Sequence, residues 1–107
     1  MISTVDKVRR LEQYLALGGS AVDSVLEQSI DKLLDRERER LLEVEARPAD
    51  DLSQLEDTYS LASSEFYRRY EAGEMGDAMD FVEWASTWEM LMSVRERLAV
   101  LEAEAAP

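Results

Sequence analysis

Five acidic residues in one short stretch are the part of this sequence best placed to do chemistry. Within residues 70–84, YEAGEMGDAMDFVEW, the acids Glu71, Glu74, Asp77, Asp80 and Glu83 recur at every third position. Carboxylates are the ordinary ligands of hard divalent cations. A calcium loop of the EF-hand type needs oxygens at alternate positions and a glycine at the sixth, which a spacing of three does not supply. Magnesium asks for only one or two carboxylates beside a phosphate, so the stretch retains that capacity. Composition closes off other chemistries. Neither cysteine nor histidine occurs in the 107 residues. That removes disulfides, zinc sites built on Cys or His, and Cys–His or Ser–His nucleophiles.

The magnesium reading has one comparison to weigh. All-helical nucleotide pyrophosphatases hold Mg²⁺ with paired E-x-x-E and E-x-x-D motifs, and Glu71-x-x-Glu74 with Asp80-x-x-Glu83 looks superficially similar. In those enzymes the pairs lie on separate helices, farther apart along the chain. Here only five residues separate them, and the only lysines, Lys7 and Lys32, are far away in sequence from any phosphate bound at this stretch. A Mg-dependent all-helical nucleotide pyrophosphatase-like enzyme is therefore one alternative, and a structural coiled-coil adaptor is the other. The leading expectation is a chain that is not an enzyme, with no catalytic residue, no metal and no cofactor.

The glycines supply a structural reading of the same stretch. Gly73 fits the position just past a helix end, and Gly76 permits a tight second turn. Asp77 is then expected as N-cap of the following helix, with Asp80 at N3 of a capping box and Glu83 near the positive end of the helix dipole. Phe81 and Trp84 follow three apart on the buried side. A third reading, protein recognition, is compatible with this one. An acidic corner backed by aromatics can dock a basic partner, with charge aiding encounter and the rings adding burial. The candidate partner-binding residues are Tyr70, Glu71, Glu74, Asp77, Asp80, Phe81, Trp84 and Trp88.

The whole chain leans the same way. Hydrophobic residues make up 46% and charged residues 34%, with only 4 glycines and 2 prolines, a balance that favours a folded helical chain over many short strands. Formal net charge is −12. Residues 1–47 carry 8 basic and 10 acidic side chains, residues 48–107 carry 4 and 14, so the acidity sits in the second half. Such a surface repels phosphates, and neither nucleic acid nor an anionic membrane is an expected partner. Asp6 and Glu12 interrupt the N-terminal apolar pattern, so it does not read as a signal peptide. No uncharged run approaches the roughly 20 residues that span a bilayer. A cytoplasmic location is expected.

Periodicity places four helical segments. The first covers about residues 4–17, with Val5, Val8, Leu11, Tyr14 and Leu15 on one face, and stops at Gly18–Gly19. The second starts at Ser20 as N-cap with Asp23 as capping-box partner. Its seam is Val22, Val25, Leu26, Ile30, Leu33, Leu34, Leu41, Leu42 and Val44, interrupted by DRERER at residues 35–40, a solvated face with pairs such as Glu43–Arg47. Pro48 predicts a kink or a restarted helix, continuing to about Asp57. A short helix over residues 64–72 follows, N-capped by Ser63, with Phe66 and Tyr70 stacked. The last helix begins after Asp77 and runs to about Ala105, with Phe81, Trp84, Ala85, Trp88, Leu91, Met92, Leu98 and Leu101 as a broad apolar face that Arg95 interrupts, as Glu37 interrupts the second helix. The expected architecture is all-α: an antiparallel helical hairpin or coiled coil of two long helices, a short connecting helix and an N-terminal helix. Residues 1–19 form the N-terminal helix and break, and residues 20–105 the hairpin domain. The surplus of apolar surface, especially Trp84 and Trp88 with nearby Met90 and Met92, points to a homodimer or a partner.

The segment SSEFYRRYEAGEMGDAMDFVEW resembles one found in small, acidic, helical proteins of bacteria and archaea. There a pattern like F-Y-x-R-F-E-x-G-E-x-G-D-x-x-D-F-x-E-W precedes a final helix. The matching residues are Phe66, Tyr67, Arg69, Tyr70, Glu71, Gly73, Glu74, Gly76, Asp77, Asp80, Phe81, Glu83 and Trp84, with Tyr70 in place of the usual Phe. IDKLLDRERERL extends the likeness over about residues 20–100, and Pro48 departs from it. Such proteins look like antitoxins encoded beside small toxin genes. The resemblance implies a non-catalytic protein that binds and masks the toxin encoded by the adjacent gene. Lys7, Arg9 and Arg10 are too few contacts for an independent DNA reader.

Overall fold

The computed structural model describes residues 2–18 and 24–103. Among these, four helices follow in chain order: α1 (Thr4–Leu17), α2 (Ser24–Tyr59), α3 (Ser63–Glu71) and α4 (Met79–Glu102). There is no strand among the described residues, and the all-α reading holds. The expected caps Ser20 and Asp23, together with Gly19 and Val22, lie outside the described residues, as does the expected helix end at Ala105. Two compact units are present, Met1–Asp35 and Arg36–Pro107. Their boundary falls inside α2, where the sequence places it at residues 19–20.

In the first unit, α1 opens on a capping box. The Ser3 hydroxyl accepts the Asp6 N–H at 3.1 Å, and the Asp6 carboxylate accepts the Ser3 N–H at 3.3 Å. Two backbone donors that the first turn leaves over are thereby satisfied. The amphipathic pattern is present but weakly covered: no residue of α1 is buried, and only Leu11 and Leu15 of its apolar face are half-buried. In the first part of α2, Leu26 and Ile30 are half-buried while Leu33 and Leu34 are exposed.

The second unit is an antiparallel hairpin of α2, from Arg36 onward, with α4. Two cross-helix ion pairs set its register. Arg38 donates to Glu102 at 3.1 Å, and Arg95 donates to Glu45 at 3.2 Å. A step of seven residues along α2 is matched by a step of seven back along α4, two turns of each helix. The two residues that interrupt the apolar faces therefore do not meet: Arg95 bonds Glu45, and Glu37 bonds Arg40 three residues on. Glu43 and Arg47, spaced for an i,i+4 pair, form no ion pair among the described residues. Each exposed pair is worth about 0–1 kcal/mol, so packing supplies most of the stability. Leu41, Val94 and Leu98 form one core cluster. Leu52, Phe66, Trp84, Ala85 and Leu91 form the larger one, at the corner.

The helix does not restart at Pro48. α2 runs through it as one element of 36 residues with the proline ring buried. Proline has no N–H to give the Val44 carbonyl, and an interior proline costs about 3 kcal/mol. Buried Leu41 on one side and Leu52 on the other hold the helix together across the defect. Pro48→Ala restores the missing donor and removes two buried carbons, worth about 0.8 kcal/mol each. A net gain of about 1 kcal/mol is expected, read as a higher urea midpoint with unchanged helical circular dichroism.

Candidate functional site

The corner joins the end of α2, all of α3, the connection over residues 72–78 and the start of α4. It is assembled around Trp84, which is 0% exposed. Its indole lies parallel to Phe66 at 3.9 Å between ring centroids and stacks with Tyr59 at 5.6 Å. The indole N–H donates to the Ser63 hydroxyl at 2.9 Å. Phe66 and Tyr70 meet at 5.6 Å, as their i,i+4 spacing predicts, but with the rings tilted by 31° and not stacked.

Two expected caps are corrected. Ser63 is not the N-cap of α3; Ala62 holds that position without a side-chain bond. The Ser63 hydroxyl is buried against Trp84. In place of a local cap, the Glu56 carboxylate on α2 accepts the Ser63 N–H at 2.8 Å. Asp77 is likewise not the cap of α4, which begins after Ala78 with no side-chain cap bond. Asp80 sits in the first turn, and its carboxylate accepts the Tyr59 hydroxyl at 2.6 Å. Long-range donors, Trp84 at Ser63 and Tyr59 at Asp80, take the oxygens that the local reading assigns to the helix ends.

The glycine reading holds for Gly73. It lies at φ 75° just past α3. The Gly73 N–H donates to the Tyr70 carbonyl at 3.0 Å and the Glu74 N–H to the Arg69 carbonyl at 2.9 Å, the two bonds of a Schellman end. Gly76 lies at φ 78° and turns the chain again. Ser60 takes the same left-handed region at φ 50° where α2 ends, a conformation that L-residues with a side chain adopt at a cost.

The candidate residues separate into three groups. Trp84 is wholly internal and offers no surface of its own. Tyr70, Phe81 and Trp88 are half-buried and pack against the corner core. Glu71, Glu74, Asp77 and Asp80 are exposed. Of the acids, Asp80 is engaged by Tyr59 and Glu71 lies beside the Tyr67 hydroxyl. Glu74 and Asp77 belong to no ion pair among the described residues. Nor does any group of three or more acidic side chains among the described residues stand where it could hold a metal ion. Glu71-x-x-Glu74 and Asp80-x-x-Glu83 are thus not brought together as two facing pairs.

Electrostatics at the corner are dominated by carboxylates. The Tyr67 hydroxyl donates to Glu89 at 2.6 Å; hydrogen bonds to Glu71 and then Glu89 hold its pKa well above the usual phenol value. Tyr59 is raised by its bond to Asp80. In both, ionising the phenol loses a donor and places a negative charge beside a carboxylate. Glu65 moves the other way. It takes Arg68 at 2.7 Å and Arg69 at 3.0 Å, which lowers its carboxyl from 4.5 to about 2, Arg68 contributing most. Glu56, Tyr59 and Glu89 are site-building residues that the sequence pattern does not single out, and Ser63 and Tyr67, marked in the sequence for other reasons, join them. Their partners are 7 to 22 residues away, on other elements and outside the three- and four-residue spacing that marks one helix face.

Among the described residues, no helix is long and apolar enough to cross a membrane. Compared with protein-family models, curated proteins and solved structures, the chain matches none.

Two outcomes follow from the corner. Ser63→Ala leaves the Trp84 N–H buried without a partner and is expected to cost about 1–3 kcal/mol, measured by urea unfolding followed through tryptophan fluorescence. The second concerns pH. A carboxyl whose folded pKa is lowered contributes fully above its unfolded value near 4.5 and loses that contribution as pH falls toward about 2. A carbon-13 titration of the Glu65 carboxyl is expected to show a midpoint at about 2, moving up toward 4.5 in Arg68→Gln.

Proposed function

We propose that the chain is a non-catalytic protein-interaction protein whose acidic corner docks a basic protein partner. The observation that carries this reading is the state of Glu74 and Asp77. Both are exposed and outside every ion pair among the described residues, on a turn fixed by two left-handed glycines over a closed aromatic core. Exposed carboxylates outside the ion pairs steer a basic partner. The segment's likeness to antitoxin-like proteins gives the finer reading: the partner is a small toxin, encoded by the adjacent gene and masked in the cytoplasm.

The test is co-expression with that neighbouring product. The two are expected to co-elute on size exclusion, and the Glu74→Lys, Asp77→Lys double variant is expected to weaken the complex at least about tenfold, or 1.4 kcal/mol, with unchanged helical content. Clean separation of the two wild-type proteins would sink the toxin-masking reading. A complex indifferent to both substitutions would remove the corner from it.

A further inference from the structure

We propose that the open end of the α2–α4 hairpin is a self-association surface, on which a second copy of this chain packs to complete a four-helix bundle. This surface is separate from the corner and does not rest on the corner's proposed role.

The seam between α2 and α4 carries shallow grooves whose character changes along its length. Near the corner the lining is largely polar: Asp51, Gln54, Thr58, Glu83 and Thr87 surround about 320 Å³. Farther along, a groove of about 390 Å³ includes Val44, Pro48 and Met90. At the open end, a groove of about 500 Å³ includes Leu41, Val100 and Leu101. Apolar side chains stand out toward solvent here, with Val44 41%, Met90 54% and Val100 72% exposed.

Spacing along both helices fits a further helical layer. On α2 the groove residues Glu37, Arg40, Val44, Arg47 and Asp51 follow one another by three and four. On α4, Thr87, Met90, Arg97 and Leu101 keep the same seven-residue repeat. This is the periodicity by which helices pack side by side in bundles and coiled coils.

Charge identifies the occupant. The chain carries −12 overall, so two copies repel each other across most approaches. The rim of these grooves is the exception. Glu37, Arg40, Glu43, Arg47 and Asp51 on α2, with Glu96 and Arg97 on α4, supply four acids and three bases. Glu43, Arg47, Glu96 and Arg97 belong to no ion pair among the described residues. The Glu37–Arg40 pair is exposed and can exchange partners at little cost. A two-fold axis presents the same patch from both sides, so a patch of mixed sign can place acids against bases. A basic partner gains little from a rim with four acids against three bases. A second copy gains burial of Val44, Met90 and Val100 while avoiding the acidic half.

Multi-angle light scattering of the full chain at tens of micromolar tests this. The expected result is twice the mass of the chain, falling to the monomer mass on dilution. Val100→Glu and Met90→Glu alter exposed positions, so helical circular dichroism is expected to stay unchanged while the dissociation constant rises tenfold or more. Glu74→Lys at the corner is expected to leave the dimer intact, which separates this proposal from the fate of the corner. A wild-type monomer, an open-ended series of larger assemblies, or a dimer unaffected by both glutamate variants would overturn it.

Discussion

The burial of Trp84 is the constraint on which the second unit depends. Three elements converge on one indole: Tyr59 from α2, Phe66 from α3, and the ring itself from α4. A buried indole N–H must find an acceptor, and a buried hydroxyl must be oriented to provide one. Ser63 meets both demands because its backbone N–H is held in turn by Glu56. The sequence of bonds from Glu56 through Ser63 to Trp84 ties the start of α3 to both long helices. A local Ser63 cap would turn that hydroxyl toward its own backbone and leave the indole unsatisfied. The weaker local solution yields because the alternative strands a polar group in the core.

The same competition explains what could be read from the chain and what could not. Local patterns were legible. The period of three and four placed α1 over Thr4–Leu17 and brought Phe66 and Tyr70 of α3 together, and Gly73 marked the end of α3 because only a residue without a side chain enters that backbone region freely. The capping box at Ser3 and Asp6 was equally local and open to the same reasoning. Ser63 and Asp77 had the right residue type at the right place, yet neither caps a helix. Bonds that join residues 21 apart, Tyr59 to Asp80 and Trp84 to Ser63, have no period to reveal them. Pro48 shows the limit of propensity in another way. Its cost is fixed by chemistry, but whether a helix breaks depends on the burial flanking it, and Leu41 and Leu52 were not known to be buried until the hairpin was in place.

The candidate site was legible as a set of acids but not as a division of labour among them. A repeat of three suggests equivalence. The fold makes the acids unequal: Asp80 completes Tyr59, Glu71 lies against Tyr67, Glu83 lines a groove beside Gln54 and Thr58, and only Glu74 and Asp77 stand on the turn itself. The glycines that break the helical rhythm are what separate the roles, since each reverses the chain before a continuous acidic face can form.

This division changes how a partner-docking corner would work. Trp84 cannot contribute contact area to a partner while it is the centre of the core, so the aromatics act first as a rigid foundation. Apolar contact is left to the half-buried edges of Tyr70, Phe81 and Trp88. With little apolar area to bury, recognition in the proposed reading would rest on the exposed carboxylates, and charge of that kind governs encounter rate and choice of partner more than it governs strength. Exposed carboxylates are screened over about 10 Å at 0.1 M salt. Binding through them is therefore strongly salt-dependent unless the partner inserts a residue against the rings. An arginine serves both needs, since its planar head pairs with carboxylates and stacks on aromatic faces. An arginine-rich surface consequently fits this corner better than a lysine-rich one of equal charge.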